Sequence, residues 1–519
     1  MSTRLRPLLP LLLVVATTAL GCGSEDEIRV TIVKAGDGDP LAAATSVEVT
    51  IQPEDPTAAA LARATFPVGG GGTLSGKIPY GTAVHVIARG LAANGDVVAR
   101  GGSRELLAPA ASGTPLELQV YLAASGTFYT TFEAQGRGKT GPDSGLPGLS
   151  ATRLSDGQVL VAGGTEVDTT GNITGISKTA YLYDPDTGVY RKLLAQLQNP
   201  RAYHSATPLR GRPSSVLLCG GLTLVNNQIV SAATCEVFDP VAESFAIVAT
   251  PMAKPRVGHG AVLLPDTRVL LTGGADVAKV SMPCSGACSR DDLVLQTVHN
   301  TAEVYNPDTH SLAALTKPMA AKRAFHSALR ANRNGRVLLA GGEDETGTTL
   351  GTSEIFTPDS DTFATGLPLD TPRTRLAAVR LPNDDVCLFG GLSDGQTPSS
   401  VVGTYECFSI GDLGNGTKTP SQPTFASRRD QCAVALSSGT VLLVGGFDAS
   451  SSALATAELI SPGGAPVSAG VPAAARALHA CAGLGTGGST GWEGVIVVGG
   501  VDARGGLWTG QPSGEIYTP

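Results

Sequence analysis

Basic runs and long apolar runs are both lacking in this 519-residue chain. The formal net charge is −8. Neutralising phosphate needs clustered Lys and Arg, so bulk-charge binding to nucleic acid or anionic lipid is disfavoured. The apolar run Leu8 to Leu20 falls short of the ~20 residues that span a bilayer. Gly and Pro, 66 and 34 residues, make up about a fifth of the chain, below the roughly 25–30% of a low-complexity chain. With 42% hydrophobic residues, what remains is a folded, turn-rich chain able to bury more than one core.

Arg4 and Arg6 ahead of Leu8–Leu20 have the layout of a secretory signal, placing a leader at residues 1–21 and a mature charge near −10. The four residues Ala19-Leu20-Gly21-Cys22 resemble the bacterial lipobox, although Ala19 stands where that family usually has Leu. The resemblance implies a lipidated Cys22 as the new N-terminus, with 22–27 as a tether and the anchor as the only membrane contact. A Cys after an ordinary cleavage site is the alternative. No acidic residue follows Cys22 directly, which by resemblance to the enteric sorting rule implies the outer membrane of a Gram-negative bacterium.

Residues 28–124 alternate apolar and polar positions, as in Val47-Glu48-Val49-Thr50-Ile51 and Leu116-Glu117-Leu118-Gln119-Val120. Period two predicts strands with one buried face. About seven strands fit a small β-sandwich, immunoglobulin-like or transthyretin-like. The stretch holds no Cys and one His, His85, so it offers little for catalysis and reads as a spacer.

From residue 125 to 519 the chain repeats. Gly pairs stand at 163–164, 220–221, 273–274, 341–342, 390–391, 445–446 and 499–500. Each follows an apolar run and precedes a third segment whose pattern is Glu-x-aromatic-x-Pro, as in Glu236-Val237-Phe238-Asp239-Pro240 and Glu303-Val304-Tyr305-Asn306-Pro307, with single departures in some copies. An Arg-x-x-His segment comes first: Arg201–His204, Arg256–His259, Arg323–His326 and Arg476–His479, with Arg373–Leu376 and Arg429–Cys432 as variants. A fourth segment carries Tyr190, Phe245, Leu312 or Phe363. Four short strands in each of seven copies resemble kelch repeats, which implies an all-β, seven-bladed propeller. The family's fourth-strand Trp is missing from every copy, so thinner packing between blades is expected. The last copy reaches only its third segment, Glu515-Ile516-Tyr517, while Gly126–Phe132 looks like an orphan fourth strand. Pairing the two would close the ring and remove an exposed edge.

The repeated Arg, Gly pair and Glu fall at one end of each blade. A structural ion pair is expected, with the glycine letting the guanidinium cross the middle strand: Arg201–Glu236, Arg256–Glu303, Arg323–Glu354, Arg373–Glu406, Arg429–Glu458 and Arg476–Glu515. In the first copy Leu146 and Tyr181 replace both partners together. A ring of Arg binding anions is the competing reading. The four repeated His, on separate blades, are read as packing, with no metal and no cofactor expected.

Eight Cys beyond Cys22 favour disulfides in an exported chain. Counted from the repeat markers, Cys219 and Cys235 share a register with Cys387 and Cys407, which predicts those two bridges. Cys284 and Cys288 are expected to form a local bridge; the pairing of Cys432 and Cys481 stays open.

Turns between first and second strands are short, whereas the connections after the Gly pairs are long and variable, as at 165–178, 222–231 and 275–300. Such loops gathered on one face are the default binding surface, with Arg290, Asp291 and Asp292 as candidate contacts. The expected function is a non-catalytic module for a protein or glycan. A carbohydrate enzyme like galactose oxidase or a sialic acid mutarotase, and an envelope structural protein, remain the alternatives.

Overall fold

The computed structural model describes residues 11–14, 28–34, 39–53, 58–68, 83–103, 106–107, 116–130 and 146–519, the last without 171, 212–213, 282–293, 332–333, 396, 410–415, 486–492, 504–507 and 512–513. Every regular element among the described residues is a β-strand. No helix among them is long and apolar enough to cross a membrane. Cys22, the Cys284/Cys288 pair, and Arg290, Asp291 and Asp292 lie outside the described residues.

The N-terminal strands follow one hydrogen-bonded path rather than two separate sheets. Ile28–Lys34 pairs in parallel with Leu116–Ala124 along its length, and Leu11–Val14 flanks it. Leu116–Ala124 meets Val97–Gly102 at two residues only, Ala123 and Ala124. That narrow join lets the path fold over, because apolar positions on both sides need a common interior. Val30, Ile32, Val49, Val86 and Leu122 all belong to one buried cluster.

Beyond residue 126, among the described residues, lie seven antiparallel sheets of four or five strands in a propeller-like arrangement, with four smaller sheets of two or three strands in the connections after Gly pairs. Their inner strands are Ser150–Arg153, Ser205–Pro208, Gly260–Leu263, Ser327–Arg330, Ala377–Arg380, Cys432–Ala435 and Ala480–Gly485. Each touches its two neighbours, and the last touches the first. Second strands such as Val216–Cys219 and Val269–Thr272 are buried at all four positions, since both sheet faces are covered, and so they lack alternation. Leu218 and Phe238 pack against Leu160 and Leu182 of the preceding sheet, while Leu217 packs against Leu271 and Tyr305 of the next.

In the seventh sheet, Thr127–Thr130 supplies the outer strand, pairing with Gly514–Thr518. Phe128 then packs against Tyr517, the ring centroids 5.0 Å apart and the planes tilted by 46°. Tyr190 on Tyr183 (4.8 Å), Phe245 on Phe238 (4.9 Å) and Phe363 on Phe356 (4.9 Å) make the same contact in other sheets. Without a fourth-strand Trp, these pairs form the outer packing.

Candidate functional site

Six sheets carry a buried Arg–Glu pair. Arg201 Nε lies 2.6 Å from Glu236 Oε1, Arg256 Nη2 lies 2.9 Å from Glu303, and Arg323 lies 2.8 Å from Glu354. Arg373 lies 3.1 Å from Glu406 and Arg476 lies 2.5 Å from Glu515. In the sixth sheet the partner of Glu458 is Arg428, not Arg429. The repeat is therefore Arg428-Arg429-Asp430-Gln431, one residue earlier than the sequence reading, with Gln431 in the histidine's place. The backbone sets this phase: the third residue of each segment has positive φ, and in this copy it is Asp430 (52°). Arg429 instead contacts Asp430 at 2.7 Å and stacks over Phe447 at 4.7 Å.

Each Glu also accepts backbone N–H groups from the connection entering its sheet, as from Gln198 to Glu236 (2.7 Å) and Ala253 to Glu303 (2.8 Å). Desolvation lowers the Arg201 pKa, opposed by Glu236. The glycines, however, do not chiefly make room for the guanidinium. A Cβ on Gly220 would come within 2.5 Å of the Arg256 carbonyl oxygen, which belongs to the next sheet, and one on Gly341 within 2.3 Å of that of Arg373. The second glycine, Gly221, donates its N–H to the same Arg256 carbonyl at 2.8 Å. Each Arg thus clamps its own sheet with its side chain and the preceding sheet with its backbone.

Next to these clamps the chain turns toward the axis. The third-position residues are linked by backbone hydrogen bonds at six of the seven junctions, all but that between Tyr203 and Gly258. Gly148 N–H donates to the carbonyl of Leu478 (2.9 Å), Tyr203 to Gly148 (2.7 Å) and Phe325 to Gly258 (2.7 Å); Arg375 donates to Phe325, Asp430 to Arg375 and Leu478 to Asp430, each at 3.2 Å. This belt accounts for the αL backbone of bulky residues such as Tyr203 and Phe325 (φ 54° and 53°), which is costly unless the surroundings enforce it.

The belt and the fourth-position residues line an open cavity of about 300 Å³ to which all seven sheets contribute. Its wall combines the rings of Tyr203 and Phe325, the opposite charges of Arg375 and Asp430, and imidazoles of His204, His259, His326 and His479. Nε2 of His204, His259 and His326 meets Ser150, Ser205 and Thr272 hydroxyls at 2.9, 2.9 and 3.0 Å. Nδ1 of His204 and of His326 and Oε1 of Gln431 are buried without a hydrogen bond. Burial, then the neighbouring Arg201, pushes His204 down to about 3; His259 and His479 also fall to about 3, from burial and then Arg256 or Arg476. The imidazoles are neutral hydrogen-bonding groups at physiological pH. No group of three or more His, Cys, Asp or Glu among the described residues could hold a metal ion.

The cavity opens at the end where the long connections emerge. Ala202 bridges to Leu222, Val257 to Ala275 and Ala477 to Val501, tying each inward turn to the loop after a Gly pair. The repeats show the Arg and His segments in sequence, but not that their intervening residues converge on one axis.

Cys219 and Cys235 are disulfide-bonded across directly opposed positions (Cα–Cα 4.2 Å), as are Cys387 and Cys407 (4.0 Å). Cys432 pairs with Cys481 between adjacent inner strands (Cα–Cα 6.2 Å), stapling the sixth sheet to the seventh.

The chain matches no protein-family model and no curated protein. Among solved structures it is similar to one described as "Structure of YjhT", with 14% identity and a TM-score of 0.41, over 59% of this chain and 94% of that one.

Proposed function

We propose that the chain is an exported lipoprotein, anchored through Cys22 in the outer membrane, whose seven-bladed kelch-type propeller is a non-catalytic binding module for a protein or glycan. The small N-terminal domain, a β-sandwich, serves as its spacer. The observation that carries this reading is the axial cavity, where aromatic faces, one charge of each sign and buried unsatisfied polar atoms meet at the long-loop end. Polar groups converging on a concavity fix a ligand's orientation, and here the polar part of the wall, four imidazoles with Arg375, Asp430 and Gln431, outweighs the apolar part. The volume suits one sugar ring or a few peptide side chains.

The test is a thermal-shift and calorimetric screen of the Cys22→Ser protein against glycans and envelope-derived peptides. A ligand at ~100 times its Kd should stabilise by about 2.7 kcal/mol. Two variants use residues already tolerated elsewhere in the ring: Tyr203→Gly, since Gly148 and Gly258 hold that position, and Gln431→Leu, since Leu376 does. Binding that both variants weaken supports the axial site. Binding indifferent to both rejects that site, and copper-dependent peroxide formation on a sugar rejects the non-catalytic reading.

A further inference from the structure

The small domain and the ring are joined without slack. Strand Leu116–Ala124 ends two residues before Thr127–Thr130, the outer strand of the seventh sheet, and both intervening residues are held. Ser125 N–H donates to the Val98 carbonyl of the small domain (3.1 Å) and Gly126 N–H to the Thr518 carbonyl of the seventh sheet (2.7 Å). The Thr127 hydroxyl closes the turn on the Ala124 carbonyl at 2.6 Å.

Apolar packing continues across this joint. Period-two alternation predicts one buried face for Ala83–Leu91, yet Val84 to Ala88 are buried without a break. Val84, Val86 and Ala88 belong to the small domain's own core. Ile87 points to the other face of the strand and, with Ala123, joins Tyr129, Leu484 and Ile496 of the seventh sheet in a second buried cluster. A short connection bonded to both domains and a shared apolar cluster restrain the relative motion that is the default between domains.

Register fixes which end of the ring is involved. Thr130 pairs with Glu515, at the clamp end, so Thr127, opposite Thr518, is at the other end. Leu484, opposite Gly494, is likewise remote from the Gly pair that follows Val498. The small domain therefore adjoins the end of the ring away from the axial cavity. Its first strand starts farther from the joint: Ile28–Lys34 runs parallel to Leu116–Ala124 with Ile28 opposite Leu116, about 26 Å from Ala124 along the strand. Cys22 precedes Ile28 by six residues, which span at most ~22 Å fully extended. That reach is too short to carry an anchor back past the small domain and the ring to the cavity mouth.

We infer that the two domains form one rigid body that turns the axial cavity away from the membrane holding the anchor, so that its ligand arrives from the aqueous side and is not a headgroup of that membrane. This rests on the reading of Cys22 as the anchor.

The test attaches the Cys22→Ser mature chain, through an N-terminal histidine tag in place of the lipid, to phospholipid vesicles carrying nickel-chelating lipid and an energy-acceptor lipid. A donor dye is placed on Ser438→Cys, in the far turn of the sixth sheet, or on Ala449→Cys, in its connection at the cavity end, both at exposed positions, with the unsubstituted Cys22→Ser chain as the labelling blank. Strand Val441–Val444 lies between the two sites and alone separates them by ~13 Å, so transfer to the membrane should be about twofold or more greater from Ser438→Cys. Equal transfer, or more from Ala449→Cys, overturns the inference. Ile87→Asp, which charges the contact with the ring while sparing the small domain's own core cluster, should narrow the difference; an undiminished difference overturns the rigid joint. Because the tag replaces the lipid, the anchor is judged separately, by fatty-acid labelling of the native chain that Cys22→Ser should abolish.

Discussion

The first sheet and the six that follow solve one packing problem in two ways. In the six, a buried guanidinium and carboxylate hold the end of the sheet; in the first, Leu146 and Tyr181 fill the corresponding space, both buried. The sheet order and register are the same in both cases. An ion pair that can be exchanged whole for apolar groups is not what makes the fold possible. Once one partner is present, however, the other becomes obligatory, because a lone buried charge is far costlier than a replaced pair.

Acid should have the largest effect, and it acts through four of the six, those with a histidine at the cavity position. A His whose native pKa lies near 3 stays neutral in the fold while the unfolded chain takes up a proton below about 6.5. Its contribution is therefore complete above pH 6.5 and is lost as pH falls toward 3, at up to about 1.4 kcal/mol per pH unit for each imidazole. Leu149, Leu376 and Gln431 occupy the same cavity position and titrate nowhere in this range. The melting temperature should fall steeply below pH 6, and His259→Gln, copying the sixth sheet, should flatten that fall.

Breaking one pair comes next. Glu303→Gln should cost about 3–5 kcal/mol by stranding Arg256, measured by chemical denaturation. The double change Arg256→Leu with Glu303→Tyr, which imports the solution of the first sheet, should recover most of that loss. If the double variant is as unstable as the single, Leu146 and Tyr181 are not an equivalent replacement.

The smallest effect concerns the junctions. Gly220→Ala would press a Cβ on the Arg256 carbonyl oxygen, whereas Gly499→Ala, facing the first sheet, would first meet the Leu149 side chain at 2.5 Å. Both positions have positive φ. Gly220→Ala should cost about 1–3 kcal/mol, and Gly499→Ala less, because a leucine tip moves more readily than backbone. Equal losses in thermal unfolding would mean that backbone strain alone decides.

Much of this architecture is visible in one dimension because glycine pairs and glutamates recur in step with the strands. The sixth Arg is misread because Arg428 and Arg429 are adjacent, and only the αL residue Asp430 decides between them. The axial cavity is hidden for another reason. Its residues differ from copy to copy, Tyr203 here and Gly258 or Asp430 there, and they converge only because the ring closes. The role of the Gly pairs is likewise half visible: the guanidinium they adjoin is in the same repeat, but the carbonyl they accommodate is in the next.

The pairing of Thr127–Thr130 with Gly514–Thr518 has a consequence in time. The strand of the ring that leaves the ribosome first must wait for the last one before the circle can close. Until then the seventh sheet lacks its outer edge and Phe128 lacks Tyr517. Circularity therefore makes synthesis through Thr518 a condition for closure: a product cut short of Gly514–Thr518 leaves Thr127–Thr130 on one side of the gap and Glu493–Val498 on the other without their shared partner strand.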